Sequence, residues 1–177
     1  MLGWACAHAQ NSNKDLLELY CGIGNFTIPL SKHYRRVLAT EVSKVATRAA
    51  QENLLLNEVD NVTFARLAAE EVTQAMNGER EFRRLKSLDL RLSDYELATV
   101  FVDPPRAGLD DGTARLCQKF NQILYVSCNP MTLIDNLKLL SVTHRIQALA
   151  FFDQFPYTHH LECGVSLIQR GAHESTN

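Results

Sequence analysis

The sequence predicts a doubly wound α/β domain with a mainly parallel sheet of seven strands. Seven short apolar runs alternate along the chain with stretches of helical length. Alternation of this kind favours a parallel sheet that is covered by helices on both faces. The chain has 177 residues, of which 46% are hydrophobic and 21% charged, so we expect one compact domain with a substantial core.

Each predicted strand is a run of apolar or β-branched residues between polar or turn-forming residues, as is typical of buried strands. The first run follows Asp15, and the later runs recur at intervals that leave room for a helix. The predicted strands are 16–20, 37–40, 62–64, 99–102, 123–126, 149–152 and 165–168.

Helices are predicted between these strands, at 26–33, 44–57, 70–76, 112–120 and 131–140. Ser43 is the expected N-cap of the second helix, because a serine there can accept a hydrogen bond from a free backbone N–H. The segment 77–96 is rich in charged residues and is interpreted as a surface insertion with a mildly basic helical face. Residues 1–14 are typical of the tail of a preceding helix or linker, so the domain itself is expected to span 15–177.

Composition excludes several classes of protein. Eighteen Lys and Arg against twenty Asp and Glu give a net charge of −2, so the domain as a whole is not an electrostatic binder of nucleic acid. No apolar run approaches the roughly 20 residues that cross a bilayer, and no signal peptide opens the chain, which together predict a cytoplasmic protein. The cysteines show neither a CxxC pair nor zinc spacing, so we expect no disulfide, zinc or iron–sulphur cluster.

A glycine motif follows the first predicted strand. Gly22 and Gly24 lie where a tight turn lets a ligand approach the backbone. The NAD fingerprint requires a third glycine at the position of Thr27, whereas S-adenosylmethionine has no phosphate and makes no such demand. Glu41 ends the second strand, where a carboxylate can accept hydrogen bonds from both ribose hydroxyls. The pattern favours a nucleoside-type cofactor; a plain turn with a surface glutamate is the alternative.

Two polar loops follow the fourth and fifth strands. Asp103 opens an Asp-Pro-Pro-Arg loop that the prolines stiffen, so it can bind a planar base or the cofactor, and Arg106 can meet a phosphate. Cys128 is a candidate nucleophile, for which we expect a partly exposed thiolate stabilised by the N-terminus of the next helix. The alternatives are a strand-terminating turn at Asp103 and a buried, inert thiol at Cys128.

An aromatic and polar loop leads into the last strand. Its adjacent histidines, His159 and His160, point in divergent directions on extended backbone and have no evident third partner, so a metal site is not expected. Glu162 lies between apolar neighbours and is a candidate general base, with a surface carboxylate as the alternative.

Taken in chain order, these motifs resemble the RNA uracil-5-methyltransferase family over nearly everything from Asp15 to Ile168. The segments 152–160 and 74–78, with the insertion that follows, are most similar to the bacterial tRNA (uracil-5-)-methyltransferases, which act on the T-loop uridine. The motifs are Leu-Glu-Leu-Tyr-Cys-Gly-Ile-Gly-Asn at 17–25, Asp-Pro-Pro-Arg at 103–106, Ser-Cys-Asn-Pro at 127–130 and Phe-Pro-Tyr-Thr-His-His-Leu-Glu-Cys-Gly at 155–164.

The resemblance implies an S-adenosylmethionine-dependent enzyme with a Rossmann-like fold. Cys128 would add to C6 of uracil, C5 would take the methyl group of S-adenosylmethionine, and Glu162 would remove the C5 proton. The residues that would line the cofactor pocket by their position in the family motifs are Tyr20, Gly22, Asn25, Glu41 and Asp103.

The implied partners are tRNA, through its T-arm, and other RNAs with a T-loop-like fold. No membrane or metal partner is expected, and the domain is predicted to be a monomer. Family members carry an N-terminal RNA-binding region for which these 177 residues contain no counterpart, so the chain is interpreted as the catalytic domain alone. A base inside a folded RNA loop must leave its stack to reach Cys128.

Other functions stay open. An RNA cytosine-5-methyltransferase also adds a cysteine to C6, but its family typically has a second cysteine in the loop that here begins at Asp103. An amino-methyltransferase would leave Cys128 and Glu162 without a role. Further alternatives are a uracil-5-methyltransferase acting on ribosomal RNA, a cofactor-binding domain without catalysis, and an NAD dehydrogenase, which the incomplete glycine pattern disfavours.

Overall fold

The computed structural model describes residues 1–10, 13–88, 90–158 and 160–171 and contains the predicted seven-stranded sheet. The strands lie side by side in the order β3-β2-β1-β4-β5-β7-β6. Strands β1 to β5 run parallel, whereas β7 is antiparallel to both β5 and β6, which confirms a mainly parallel sheet. Their bounds are β1 (Asp15–Leu19), β2 (Arg36–Thr40), β3 (Val62–Ala65), β4 (Leu97–Val102), β5 (Gln122–Ser127), β6 (His144–Phe152) and β7 (Glu162–Gln169).

Helices occur between the strands where the sequence predicts them. Ser43 accepts a hydrogen bond from the Ala46 N–H at 3.2 Å, which confirms it as an N-cap. The insertion contains a short helix and a 3₁₀ turn at Leu92–Asp94. No helix in the described part of the chain is long and apolar enough to cross a bilayer. The helices are α1 (Leu2–His8), α2 (Thr27–Ser31), α3 (Lys44–Leu56), α4 (Ala69–Met76), α5 (Arg83–Ser87), α6 (Asp111–Cys117) and α7 (Pro130–Leu140).

Some element boundaries differ from those predicted. Strand β6 begins at His144, five residues before the predicted start at 149. Arg145 and Gln147 interrupt the apolar pattern there, because β6 is an edge strand with a face open to solvent. The helices α2 and α6 are each shorter than predicted, ending at Ser31 and Cys117.

Two buried apolar clusters fill the two sides of the sheet. Alternate residues of a strand point to opposite faces, so Leu17 and Leu19 of β1 join one cluster and Leu16 joins the other. Helices α4 to α7 cover the first cluster, and α1 to α3 cover the second. We call these sides the α4–α7 face and the α1–α3 face. Helices on both faces confirm the doubly wound architecture.

Asp15 ties the start of β1 to the segments that lead into both neighbouring strands. Its fully buried carboxylate accepts hydrogen bonds from Arg35 at 2.8 and 2.9 Å, from Arg36 at 2.9 Å and from the Glu96 N–H at 2.8 Å. Although burial alone would raise the pKa of Asp15, the hydrogen bonds from the two arginines hold it well below its usual value. The charged carboxylate therefore stabilises the fold.

We expect Asp15→Asn to lower the free energy of unfolding by about 2 kcal/mol at neutral pH, because the charge-assisted hydrogen bonds are lost. The pKa of Asp15 is lower in the folded state than in the unfolded state. Its contribution is therefore present above the unfolded value of about 4 and declines as the pH falls below it. Urea denaturation of both proteins between about pH 7 and pH 3 measures this dependence.

Glu96→Gln is the control, because that side chain is 53% exposed and its ion pairs with Lys14 and Arg35 are screened by water. We expect it to change the free energy of unfolding by less than about 0.5 kcal/mol. If the free energy of unfolding of Asp15→Asn stayed below that of the parent by a constant amount down to about pH 3, the Asp15 charge would not stabilise the fold.

Candidate active site

Five of the predicted site residues reach one edge of the sheet. The parallel strands β1, β2, β4 and β5 end there, and the antiparallel strand β7 begins there. Gly22, Glu41, Asp103, Cys128 and Glu162 lie at or just beyond these strand ends. In open α/β sheets, ligands bind in the crevice at this edge. The loops that the sequence singled out therefore share one side of the molecule.

The candidate nucleophile lies near the candidate base. Cys128 is the next residue after β5, and Glu162 is the first residue of β7. The last pair of the β5–β7 ladder at this edge is Ser127 with Cys163, so both candidates lie where the ladder ends. The Glu162 carboxylate acts on the Cys128 thiol, whose pKa it raises. Gly164, two residues further along β7, packs against helix α1, so the Glu162 side chain projects to the α1–α3 face. Cys128 and Glu162 are each half-buried.

Asp103 joins this pair. It lies two residues beyond Phe101, which packs in the cluster on the α1–α3 face, so the alternation of the strand directs Asp103 to the same side. Burial and the Glu162 carboxylate raise the pKa of Asp103 to about 6. We call Asp103, Cys128 and Glu162 the acid–thiol cluster, because the Glu162 carboxylate raises the pKa of Asp103 and both carboxylates raise that of Cys128.

The expectation of a stabilised thiolate at Cys128 is wrong for the chain alone. Burial raises the pKa of the Cys128 thiol, the carboxylates of Glu162 and Asp103 raise it further, and Arg106 only partly opposes them. The partial exposure that we expected for Cys128 is confirmed. Burial, with two carboxylates beside the sulphur, therefore favours the thiol over the thiolate.

The start of that helix also differs from the prediction. Helix α7 begins at Pro130 rather than at 131, and its N-cap is Asn129, whose side chain accepts a hydrogen bond from the Met131 N–H at 3.1 Å. The same asparagine donates to the carbonyl of Arg106 at 3.0 Å. The loop that carries Cys128 is thus tied to the loop that carries Asp103.

Asn136 in α7 is a second support for the Asp103 loop. Its amide donates to the carbonyl of Leu109 at 3.0 Å, and its oxygen accepts from the Leu109 N–H at 2.9 Å and the Tyr125 hydroxyl at 2.7 Å. Gly108 has φ +77°, and a Cβ there would lie 2.7 Å from the Asn136 oxygen. The sequence reasoning missed this support, since nothing in the local pattern of Asn136 distinguishes it from a surface residue.

The glycine turn after β1 is confirmed and is held by Glu41. Gly22 and Gly24 have φ +55° and +90°, a region that favours glycine. The Gly22 N–H donates to one Glu41 carboxylate oxygen at 3.1 Å, and the Ser43 N–H donates to the other at 2.8 Å. A Cβ on Gly22 would meet nothing within 4 Å. A ligand can therefore approach this backbone, and each Glu41 oxygen keeps a lone pair for it.

The structure separates Tyr20 from the acid–thiol cluster. Its ring packs against the cluster on the α4–α7 face, where burial, and next the carboxylates of Glu70 and Asp110, raise its pKa above the usual value. Tyr20 is also one of the few residues other than glycine with a positive φ, at 60°. Asn25 is exposed, two residues before α2.

Glu18 is a buried carboxyl group that the sequence reasoning did not single out. It lies in β1 opposite Ala39 and Phe101, is 1% exposed, and has one oxygen without a hydrogen-bond partner in the described structure. Burial raises the pKa of Glu18 to about 8, and the nearby Asp103 carboxylate adds to the shift. The group is therefore largely protonated at neutral pH. A single carboxyl within the apolar run 16–19 was the available signal.

Among the residues that the structure describes, no group of three His, Cys, Asp or Glu side chains is placed so that it could hold a metal ion. His159 lies outside the described residues. The His160 ring is exposed and meets the Phe155 ring edge to face at 5.9 Å.

Comparison with known proteins adds independent information. The family model for tRNA (uracil-5-)-methyltransferases matches residues 1–170. Two similar proteins are the tRNA/tmRNA (uracil-C(5))-methyltransferases of Acinetobacter baylyi, 60% identical over 167 residues, and Dickeya chrysanthemi, 59% identical over 170 residues. The matches cover 94% and 96% of this chain but 46% of each relative. The chain thus spans about half the length of the curated relatives it matches.

A similar solved structure is that of Pyrococcus abyssi tRNA (uracil-54, C5)-methyltransferase in complex with S-adenosyl-L-homocysteine. It matches with a TM-score of 0.74 and 28% sequence identity, over 94% of this chain and 37% of that chain. The fold is therefore shared with a protein whose structure contains S-adenosyl-L-homocysteine.

Replacing Glu18 by Gln removes a proton-binding group from the core. The folded-state pKa of about 8 lies above the unfolded value of about 4.3. The stability associated with the protonated form is thus fully present below the unfolded value and is lost as the pH rises toward 8. The parent should therefore lose up to about 1.4 kcal/mol per pH unit over this range, and Glu18→Gln should not.

Denaturation of both proteins at about pH 5 and pH 8 measures this difference. We expect the free energy of unfolding of Glu18→Gln, relative to that of the parent, to be higher at about pH 8 than at about pH 5. Glu52→Gln, on the solvent side of α3 with 63% exposure, is the matched control and should follow the parent. Parallel pH dependences in the parent and Glu18→Gln would contradict a buried neutral carboxyl at this position.

Removing a carboxylate from the acid–thiol cluster should lower the pKa of Cys128. We expect the pH profile of iodoacetamide alkylation at Cys128, followed by peptide mass spectrometry, to move to lower pH in Glu162→Gln and Asp103→Asn. Arg106→Gln should move it to higher pH, because Arg106 favours the thiolate. One midpoint shared by all four proteins would refute electrostatic coupling in the cluster.

Proposed function

The chain belongs to the tRNA (uracil-5-)-methyltransferase family, and on that premise we propose that it methylates C5 of uracil in RNA with S-adenosylmethionine. The observation that carries the proposal is the convergence of Cys128, Glu162 and Asp103 at one edge of the sheet, where both carboxylates act on the thiol. We assign the T-loop uridine of tRNA as the target. The names of the similar proteins support this assignment, since they specify tRNA or tmRNA as the RNA and, for the Pyrococcus abyssi protein, uracil 54 as the base. The cytoplasmic location and the monomeric state of the protein stay predictions.

The glycine turn fits S-adenosylmethionine. Open space lies beside Gly22, and the neighbouring carboxylates of Glu41 and Asp103 suit a cofactor that carries positive charge and no phosphate. When bound, S-adenosylmethionine supplies a methyl group on a positively charged sulphur. Glu41 would accept hydrogen bonds from the ribose hydroxyls, and Asp103, Tyr20 and Asn25 are assigned to the same pocket by their place in the family motifs.

Cys128 activates the uracil ring for methylation. C5 of uracil is a poor nucleophile, and addition of the Cys128 thiolate to C6 moves an electron pair into an enolate whose C5 can attack a methyl group. The thiol must lose its proton first, and its raised pKa keeps the thiolate fraction small in the chain alone. Burial and the charges on Glu162 and Asp103 together limit the thiolate fraction, and neutralising either carboxylate increases it.

Glu162 completes the reaction. After C5 has gained the methyl group, the Glu162 carboxylate takes the remaining C5 proton. The electron pair of that C–H bond forms the C5–C6 double bond and expels the Cys128 sulphur as a thiolate. The proton then passes from Glu162 to water. The proximity of the two side chains suits this sequence, because the nucleophile and the base act on adjacent carbons.

A fluorine at C5 should stop the reaction at the covalent stage, since it cannot leave as a proton. We expect the chain, incubated with S-adenosylmethionine and a T-arm hairpin carrying 5-fluorouracil at the T-loop position, to form an adduct that survives a denaturing gel. Cys128→Ala should abolish the adduct. Glu162→Gln should accumulate a methylated adduct even with ordinary uracil, because the C5 proton has no acceptor.

Cys6→Ala is the matched control, because Cys6 is also half-buried and lies on α1, outside the acid–thiol cluster. It should form the adduct as the parent does. An adduct that persists in Cys128→Ala would refute the assigned nucleophile. Calorimetric binding of S-adenosylmethionine without any adduct would instead support the alternative of a cofactor-binding domain without catalysis.

A further inference from the structure

The loop between β6 and β7 presents aromatic side chains to solvent beside the candidate active site. Phe155 is 50% exposed and Tyr157 is fully exposed. Phe152, just before the loop, pairs with Glu162, just after it. The loop that carries the exposed rings therefore begins and ends at the edge of the sheet where the proposed general base lies.

The backbone conformation of Tyr157 is strained, although its side chain points into solvent. Its φ of +65° lies in the left-handed region that bulky residues rarely adopt. The turn is fixed by Thr158, whose N–H and hydroxyl both donate to the Phe155 carbonyl, at 3.2 and 2.7 Å, and whose hydroxyl accepts from the His160 N–H at 3.2 Å. Strain of this kind concentrates at ligand-contacting positions, and folding does not explain it here because the Tyr157 ring is not buried.

The absence of lysine and arginine from the loop between β6 and β7 limits the kind of ligand that this loop can bind. No lysine or arginine occurs between Arg145 and Arg170, so the loop has no permanent cation with which to bind phosphate groups. Exposed aromatic rings without cations suit the flat, uncharged faces of unpaired nucleobases, which proteins bind by stacking.

We propose that Tyr157 and Phe155 form a stacking platform for unpaired bases of the RNA loop next to the target uracil. This inference rests on the proposed function and assigns residues to RNA recognition within it. A base that leaves the RNA stack to reach Cys128 loses stacking energy with its neighbours. Rings in the loop that leads into Glu162 would restore part of that energy to the bases that flank the target.

Binding of a fluorescently labelled T-arm hairpin, followed by anisotropy at fixed salt, tests the platform. We expect Tyr157→Ala to weaken binding roughly 10-fold, as loss of one aromatic stacking partner does. Tyr157→Phe keeps the ring and should stay within about 2-fold of the parent. Leu56→Ala is the control: Leu56 is 81% exposed but ends α3 at the opposite edge of the sheet, and it should have no effect.

A second hairpin, with abasic sites at the loop positions flanking the target, separates stacking from a structural role. The parent and Tyr157→Ala should bind it equally, because no base remains to stack. A 10-fold difference that persists with the abasic hairpin, or no difference with the intact one, would overturn the platform and leave the rings to another role, such as docking a protein. No measurable binding of the intact hairpin by the parent would overturn it as well.

Different experimental results would refute the stacking platform and the proposed reaction. A hairpin that binds with the expected sensitivity to Tyr157 but forms no 5-fluorouracil adduct would support the platform and refute the reaction. Adduct formation by Tyr157→Ala at the parent's apparent affinity would support the reaction and refute the platform. Calorimetric affinity for S-adenosylmethionine should be the same in the parent and Tyr157→Ala, which shows that the variant retains its fold.

Discussion

The antiparallel pairing of β7 with β5 is the constraint on which the candidate site depends. The other strand ends at this edge come from parallel strands, and their side chains are set by the loops that follow them. Among the strands that the structure describes, β7 alone enters the sheet from this edge, so its first residue, Glu162, is already paired, opposite Phe152 of β6. Because side chains alternate along a strand, a slip of one residue would turn Glu162 to the α4–α7 face, away from Cys128.

Helix α1 secures that register. The indole of Trp4 packs on Gly164 so closely that a Cβ there would lie 2.7 Å from a ring carbon. The same ring meets Phe152 edge to face at 6.0 Å, so one side chain contacts both β6 and β7 two positions or fewer from Glu162 in the ladder. A glycine inside a strand weakens it locally, and here it admits the tryptophan that covers this end of the α1–α3 face.

The sequence predicted the fold and the convergence of the loops because both follow from strongly periodic signals. Apolar runs located the sheet, and the polar residues after them located its carboxyl edge. Three features depended on tertiary contacts that no local pattern shows: the early start of β6, the raised pKa of Cys128 and the support from Asn136. The dipole of α7 suggested a thiolate, but the opposing carboxylates belong to β7 and to the loop after β4, which are distant in sequence.

The carboxyl groups at this edge oppose folding and prepare the site. Glu18, Asp103 and Glu162 stand on one face with little positive charge beside them, and burial holds Glu18 and Asp103 partly in their neutral forms. Such an arrangement carries unfavourable electrostatic energy that a nearby positive charge would relieve and a negative charge would increase. Burial and the carboxylates of Glu162 and Asp103 also raise the pKa of the Cys128 thiol. Stability given up at Glu18 and Asp103 is therefore the cost of keeping carboxyl groups beside a thiol at this edge of the sheet.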